Sequence, residues 1–177
     1  MDADVPLVLS GTCEVDATYI GGQWKNKRIH IRVKGTKRGR GTKKQCLFGI
    51  AGRDDKAVRV FLVPGENIPS TRHHITSIVA TGSRICSDEC LAYTSLPRDG
   101  YVHEFVNHSE GEYVRGDVHT QTLDGFWGNV KNFLANKGGV RASEMRRFVA
   151  EYVWRYNHRH MTRNEQAKRL LELLMHA

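Results

Sequence analysis

Three aspartates in this 177-residue chain fall where an acidic metal site needs them. Asp16 lies in Thr12 to Tyr19, where Cys13, Val15, Ala17 and Tyr19 alternate with Glu14, Asp16 and Thr18, the pattern of a strand. Asp88 ends a short β-rich run, Ser83 to Ser87, and strand ends are where open α/β sheets place ligands. Asp124 follows 36 residues after Asp88, on the first long helical segment. Taken singly, each is better explained as a cap or a surface charge. Taken together they converge if the first and fourth strands are neighbours and the helix crosses that edge. Three converging carboxylates repel one another unless a cation neutralises them. A hard divalent ion such as Mg²⁺, completed by water and substrate phosphate, resolves that cost.

The elements that must position these acids follow from hydrophobic period and turn chemistry. Gln45 to Ala51 and Ala57 to Val63 are β-rich runs around Gly52-Arg53-Asp54-Asp55-Lys56, a hairpin signature. Pro64-Gly65 and Pro69 punctuate, and Ser70 opens a helical segment to about Val79. After the fourth strand come a short helix, Glu89 to Thr94, and a fifth strand, Tyr101 to Val106. Thr120 to Asn136 carries a stripe of Leu123, Phe126, Trp127, Val130 and Leu134 at helical spacing. Ser143 is a good N-cap for a helix striped by Met145, Phe148, Val149, Tyr152 and Tyr156. A last helix spans roughly Arg163 to Met175. The order βββ, αβαβ, then helices predicts a mixed sheet with helices packed on it. Asp124 and Lys131, seven residues apart, share a helix face with Gln121 and Gly128. Gly125 and Gly128 each cost about 1 kcal/mol against Ala inside a helix, which points to close approach of something bulky or to packing against the sheet.

Charge names a partner. Lys and Arg number 27 against 19 Asp and Glu, a net charge of +8. Ten of the 27 lie between positions 23 and 44, which hold no acid, so the remainder is slightly acidic, 17 against 19. These are Lys25, Lys27, Arg28, Arg32, Lys34, Lys37, Arg38, Arg40, Lys43 and Lys44, mixed with Gly35, Gly39 and Gly41. Such a stretch is either a solvated loop or an arm that tracks phosphates, and the acidity of the rest favours the arm, with nucleic acid as partner. Four cysteines, Cys13, Cys46, Cys86 and Cys90, form no CxxC pair and predict buried, reduced thiols. No apolar run approaches the roughly 20 residues of a membrane helix. Met1 to Ser10 lacks a basic leader, so a soluble, cytoplasmic protein with no membrane partner is expected. His103 and His108 sit five apart, not the four of a zinc-protease helix, and His103 lies in a predicted strand. His119 is either a phosphate contact or a loop or cap histidine. Trp127 and Trp154 belong to apolar stripes, whereas Trp24, beside the basic stretch, is the better candidate for stacking on a base.

An ordered set of segments resembles insertion-sequence transposases with an RNase H-like DDE catalytic domain, a group related to the eukaryotic Merlin transposases. It comprises Glu14-Val15-Asp16-Ala17-Thr18-Tyr19-Ile20-Gly21-Gly22, Ser87-Asp88-Glu89-Cys90-Leu91-Ala92-Tyr93, Val106-Asn107-His108-Ser109 and Gly111-Glu112-Tyr113-Val114-Arg115-Gly116. It continues through His119-Thr120-Gln121-Thr122-Leu123-Asp124-Gly125-Phe126-Trp127 to Arg155-Tyr156-Asn157. The resemblance implies a single α/β domain over 1–177: a five-stranded mixed sheet flanked by helices, a basic insertion at 23–44 and extra C-terminal helices at 143–177. It also implies that Asp16, Asp88 and Asp124 bind two Mg²⁺ or Mn²⁺ ions, and that Lys131 contacts DNA. Transposon ends and target DNA would be the partners, with the chain acting as a homo-oligomer on DNA. Only 15 residues precede Asp16, so no separate N-terminal zinc or helix-turn-helix module is expected.

The sequence departs from that family at Ala17, where Glu is usual, and at Gln121 and Asp124, where Asn and Glu are usual. Asp is one methylene shorter than Glu, and a displacement of about 1 Å can cost about a hundredfold in rate. A domesticated or decayed transposase that binds DNA without chemistry is therefore the alternative. A nuclease of the same fold that hydrolyses without joining is a third, weaker reading.

Overall fold

The computed structural model describes residues 6–21, 29, 44–138 and 140–175. Five strands form one sheet in the order β3-β2-β1-β4-β5: β1 Thr12–Ile20, β2 Gln45–Gly52, β3 Ala57–Val63, β4 Arg84–Asp88 and β5 Val102–Val106. The first three run antiparallel, β2 and β3 as the Gly52 to Lys56 hairpin requires, while β4 and β5 lie parallel to β1. Helix α1 (Ile68–Ile78) makes the crossover to β4, and α2 (Gln121–Asn136), α3 (Met145–Asn157) and α4 (Arg163–Met175) follow the sheet.

The central strand β1 is covered on both faces. Val15 packs with Phe48, Ile50, Ile75, Ile85 and Tyr93 on one side. On the other, Leu47, Ala51 and Val58 meet Leu123, Phe126, Trp127 and Val130 of α2 and Val149 and Val153 of α3. Glu14, on the nominally polar side of β1, is fully buried. Alternation therefore located the strand but understated its burial.

The strands and the α2 stripe agree with the sequence, but two helix starts do not. Asn67, not Ser70, caps α1: its side chain accepts the Ser70 amide, and Pro69 sits in the first turn. Proline costs nothing there, because that turn's amides have no intrahelical acceptor. Ser143 caps nothing either. It lies inside a 3₁₀ turn, Ala142–Glu144, and α3 begins at Met145. The short helix after β4 is likewise a 3₁₀ turn, Leu91–Tyr93.

Asn157, at the end of α3, completes the outer edge of the sheet. Its carboxamide accepts the Val58 amide at 2.9 Å and donates to the Val58 carbonyl at 3.0 Å, replacing a ladder partner that edge strand β3 lacks. All four cysteines are buried, and none of them forms a disulfide. No described helix is long and apolar enough to cross a membrane.

Candidate active site

Asp16 and Asp88 come together through strand register. β1 and β4 pair in parallel through Glu14 and Cys86, and two residues further along each strand stand Asp16 and Asp88. The two residues thus occupy neighbouring positions on parallel strands, near the carboxyl end of β4, and the Asp88 charge acts on the Asp16 carboxyl. Helix α2 packs over β1 and contributes Asp124 from its first turn.

Each carboxylate has a donor from its own surroundings. Asp16 Oδ2 accepts the Trp127 indole N–H at 2.9 Å. Asp88 Oδ1 accepts the Cys90 amide at 3.0 Å, and Asp124 Oδ2 accepts the Thr120 hydroxyl at 3.3 Å. The Trp127 contact depends on Gly49, the β2 residue opposite Asp16. A Cβ at position 49 would lie 2.6 Å from the indole, so only glycine lets the ring close over β1.

The electrostatics are those of crowded acids. Burial pushes the Asp16 carboxyl up to about 7, helped by the charge of Asp88 and then by Asp124 and Glu66, against the Ala17 amide, which lowers it. Asp88 is also raised, by burial first and then by Glu66 and Glu89, with the Cys90 amide opposing. Oxygen donors held in mutual repulsion fit a hard divalent cation, whose charge would relieve that strain.

The sequence did not single out Glu66, in the turn between β3 and α1. Glu66, Asp88 and Cys90 have ligand atoms within 4.8 Å of one another, the described group with metal-ligand spacing, and it includes neither Asp16 nor Asp124. Tyr93 donates its hydroxyl to Glu66 at 2.9 Å. Its approach depends on the path from β3 to α1, which leaves no periodic trace. Glu66 thus stands beside Asp88, while Asp124 is exposed on α2.

The remaining candidates divide by location. Lys131 is exposed on α2, and Lys44 is exposed immediately before β2. His119 lies just ahead of α2 with its side chain 22% exposed. Lys25, Lys27, Arg28, Lys34, Lys37, Arg38, Arg40 and Lys43, with Arg32 and Trp24, lie outside the described residues. Gly125 and Gly128 have nothing within 4 Å of a built Cβ, so neither is explained by packing on the sheet. Trp127 and Trp154 are core residues, as their stripes predict. A groove of about 570 Å³ at the β3 edge, lined by Leu7, Phe61, His74, Arg146 and Val153, contains none of the aspartates.

A mixed five-stranded sheet of this order, with helices on both faces, is an RNase H-like fold. The crystal structure of the catalytic core domain of BIV integrase superposes with a TM-score of 0.51, at 10% identity over 82% of each chain. The HTLV-2 integrase catalytic core domain, solved in complex with magnesium, gives 0.47 at 13% identity over 85% of this chain and 86% of that one. Residues 8–157 match the model of the ISXO2-like transposase domain, and the chain belongs to that family. It is also 28% identical over 190 aligned residues to an uncharacterized protein in transposable element ISH50 of Halobacterium salinarum. That match covers 97% of this chain and 60% of the relative's length.

Proposed function

We propose that the chain is the catalytic domain of a DDE-type transposase, cutting and rejoining DNA phosphodiesters with Asp16, Asp88 and Asp124 as the acidic set. The observation that carries this is the parallel β1–β4 register, which brings Asp16 and Asp88 abreast beside the helix of Asp124. The three carboxylates would hold two Mg²⁺ or Mn²⁺ ions. Bound cations supply activation of the attacking oxygen and stabilisation of the leaving one during in-line displacement at phosphorus. Lys131, on the Asp124 face, and His119, ahead of it, would hold substrate phosphates. Lys44 and the basic stretch Lys25, Lys27, Arg28, Lys34, Lys37, Arg38, Arg40 and Lys43 would grip the DNA backbone. That grip weakens with salt, because each neutralised phosphate releases counterions. The partners would be transposon ends and target DNA, bound by a homo-oligomer.

Two measurements test the proposal. Crystals soaked in Mn²⁺ should give anomalous peaks bridged by Asp16 and Asp88. Asp88→Asn should lose metal-dependent cleavage of DNA and keep DNA retention; cleavage that survives overturns the assignment. The exposed, short Asp124 favours one second reading, a relic that binds DNA without cutting it. Peaks absent in the wild type and cleavage absent even in Asp124→Glu would select that reading.

A further inference from the structure

Helix α2 has no cap of its own, since Thr120 makes no side-chain bond to the first-turn amides. Those amides are taken instead by Glu14, more than 100 residues earlier in the chain. Glu14 Oε2 accepts Thr122 N at 2.9 Å and Leu123 N at 3.2 Å, and Oε1 accepts the Thr122 hydroxyl at 2.8 Å. The Glu14 side chain is 0% exposed, and its charge is met by Arg53 Nε at 2.8 Å.

Arg53 spends its other donors on the segment leading into α2. Nη1 donates to Asp117 O at 2.7 Å, and Nη2 to His119 O at 2.9 Å and His119 Nδ1 at 3.0 Å. The Gln121 amide approaches the same Nδ1 at 3.4 Å. A guanidinium and a backbone amide have only donors to offer here, so Nδ1 presents its lone pair. Glu14 Oε1, 3.4 Å from Nδ1, would compete for a proton there, but the guanidinium stands closer. An imidazole that accepts at Nδ1 carries its proton at Nε2, and within the described residues nothing bonds to Nε2.

We infer that Glu14 and Arg53 are positioning residues that dock the first turn of α2 on β1 and fix His119 as the Nε2–H tautomer, so that its ring offers one N–H donor to a DNA phosphate. The phosphate half of this inference rests on the proposed function; the tautomer half does not.

The test is ¹⁵N NMR of the metal-free full chain labelled at histidine, with the His119 signals assigned by their loss in His119→Gln. The expected wild-type ring is unprotonated at Nδ1 and protonated at Nε2. Arg53→Lys keeps a cation for Glu14 but cannot fork to Nδ1 and two carbonyls, so it should leave a mixture of tautomers. A wild-type ring protonated at Nδ1, or a ring unchanged in Arg53→Lys, overturns the clamp. Should Arg53→Lys fail to fold, Glu14→Gln serves, because it keeps an acceptor for α2 while releasing Arg53.

DNA binding tests the donor. Gln places an amide N–H near the position of Nε2 and Asn near that of Nδ1. His119→Gln should therefore bind a DNA duplex within about threefold of wild type, and His119→Asn about tenfold more weakly. Equal affinities of the two variants overturn the phosphate contact. A correct tautomer in a wild type that neither binds Mn²⁺ nor cleaves DNA would count against the proposed function and leave the clamp standing.

Discussion

Helices α2 and α4 satisfy their leading amides with different parts of the chain. At α4 the means are local: Glu165 Oε2 accepts the Thr162 amide at 2.7 Å, and Thr162 Oγ1 accepts the Glu165 amide at 3.3 Å. This is a capping box, complete within four residues. The same Thr162 groups hold the Glu165 carboxyl below the usual carboxylate range. At α2 the acceptor is Glu14, on another element and fully buried. α2 also buries Leu123, Phe126, Trp127, Val130 and Leu134, whereas the residues of α4 are all half-buried or exposed. A local box starts a helix and leaves its position free. A buried acceptor on β1 also fixes where the helix sits, and with it the position of Asp124 relative to Asp16.

Five experiments would break or sharpen this contrast. The largest effect is expected at the docked end, where Asp16→Asn should lower metal-dependent cleavage at least about a thousandfold, since charge stabilisation by the cation is worth several kcal/mol. Glu14→Ala should destabilise the fold by about 3–5 kcal/mol in urea unfolding, because it strands Arg53 and the α2 amides together. A loss no greater than that at Thr162 would erase the distinction between the two helices.

Asp124→Glu lengthens an exposed side chain and should leave stability unchanged. Nicking should rise about tenfold or more if reach limits the wild type; an unchanged rate would mean that reach does not.

Acidity gives the fourth experiment. Native Asp16 keeps its proton up to about pH 7, while an unfolded Asp loses it near 3.8. Between those values the folded state binds more protons, so the metal-free protein should lose stability as pH rises, and Asp16 should add no further loss above about 7. Mn²⁺ must displace that proton, so its affinity should rise with pH by up to about tenfold per unit, then level off. Calorimetric titration from pH 5.5 to 8 measures both limbs, and a flat profile would remove Asp16 from the ion's ligands.

The smallest effect belongs to α4. Thr162→Ala should cost that helix about 1 kcal/mol. It should be visible as faster hydrogen exchange at its first turn and barely visible in the global melting temperature.

Periodicity and turn chemistry were legible where the constraint is local. The α2 stripe names its five buried residues, the Gly52 to Lys56 turn pairs β2 with β3, and α4 spans its expected range. The acids were legible as types within a strand, at a strand end and on a helix face. Partners were not. Glu14 reads as one polar member of an alternating strand, Arg53 as a turn residue and Glu66 as loop, because nothing within ten residues of any of them records what it will touch. The misplaced helix start at Ser70 and the misplaced cap at Ser143 have a related cause: several polar residues stood near each start, and the path of the preceding chain selected among them.

The sequence alone determined the strand set, the α2 face that carries Asp124 and Lys131, the basic excess and the family. Each is written in residue type and short-range order. Only the tertiary structure decided that β4 pairs with β1 in the register that sets Asp16 beside Asp88. It also decided that Gly49 admits Trp127 to Asp16, that Glu66 approaches Asp88 and that Glu14 seats α2. These are contacts between distant segments, and their energies exist only once the sheet and its helices have closed around them.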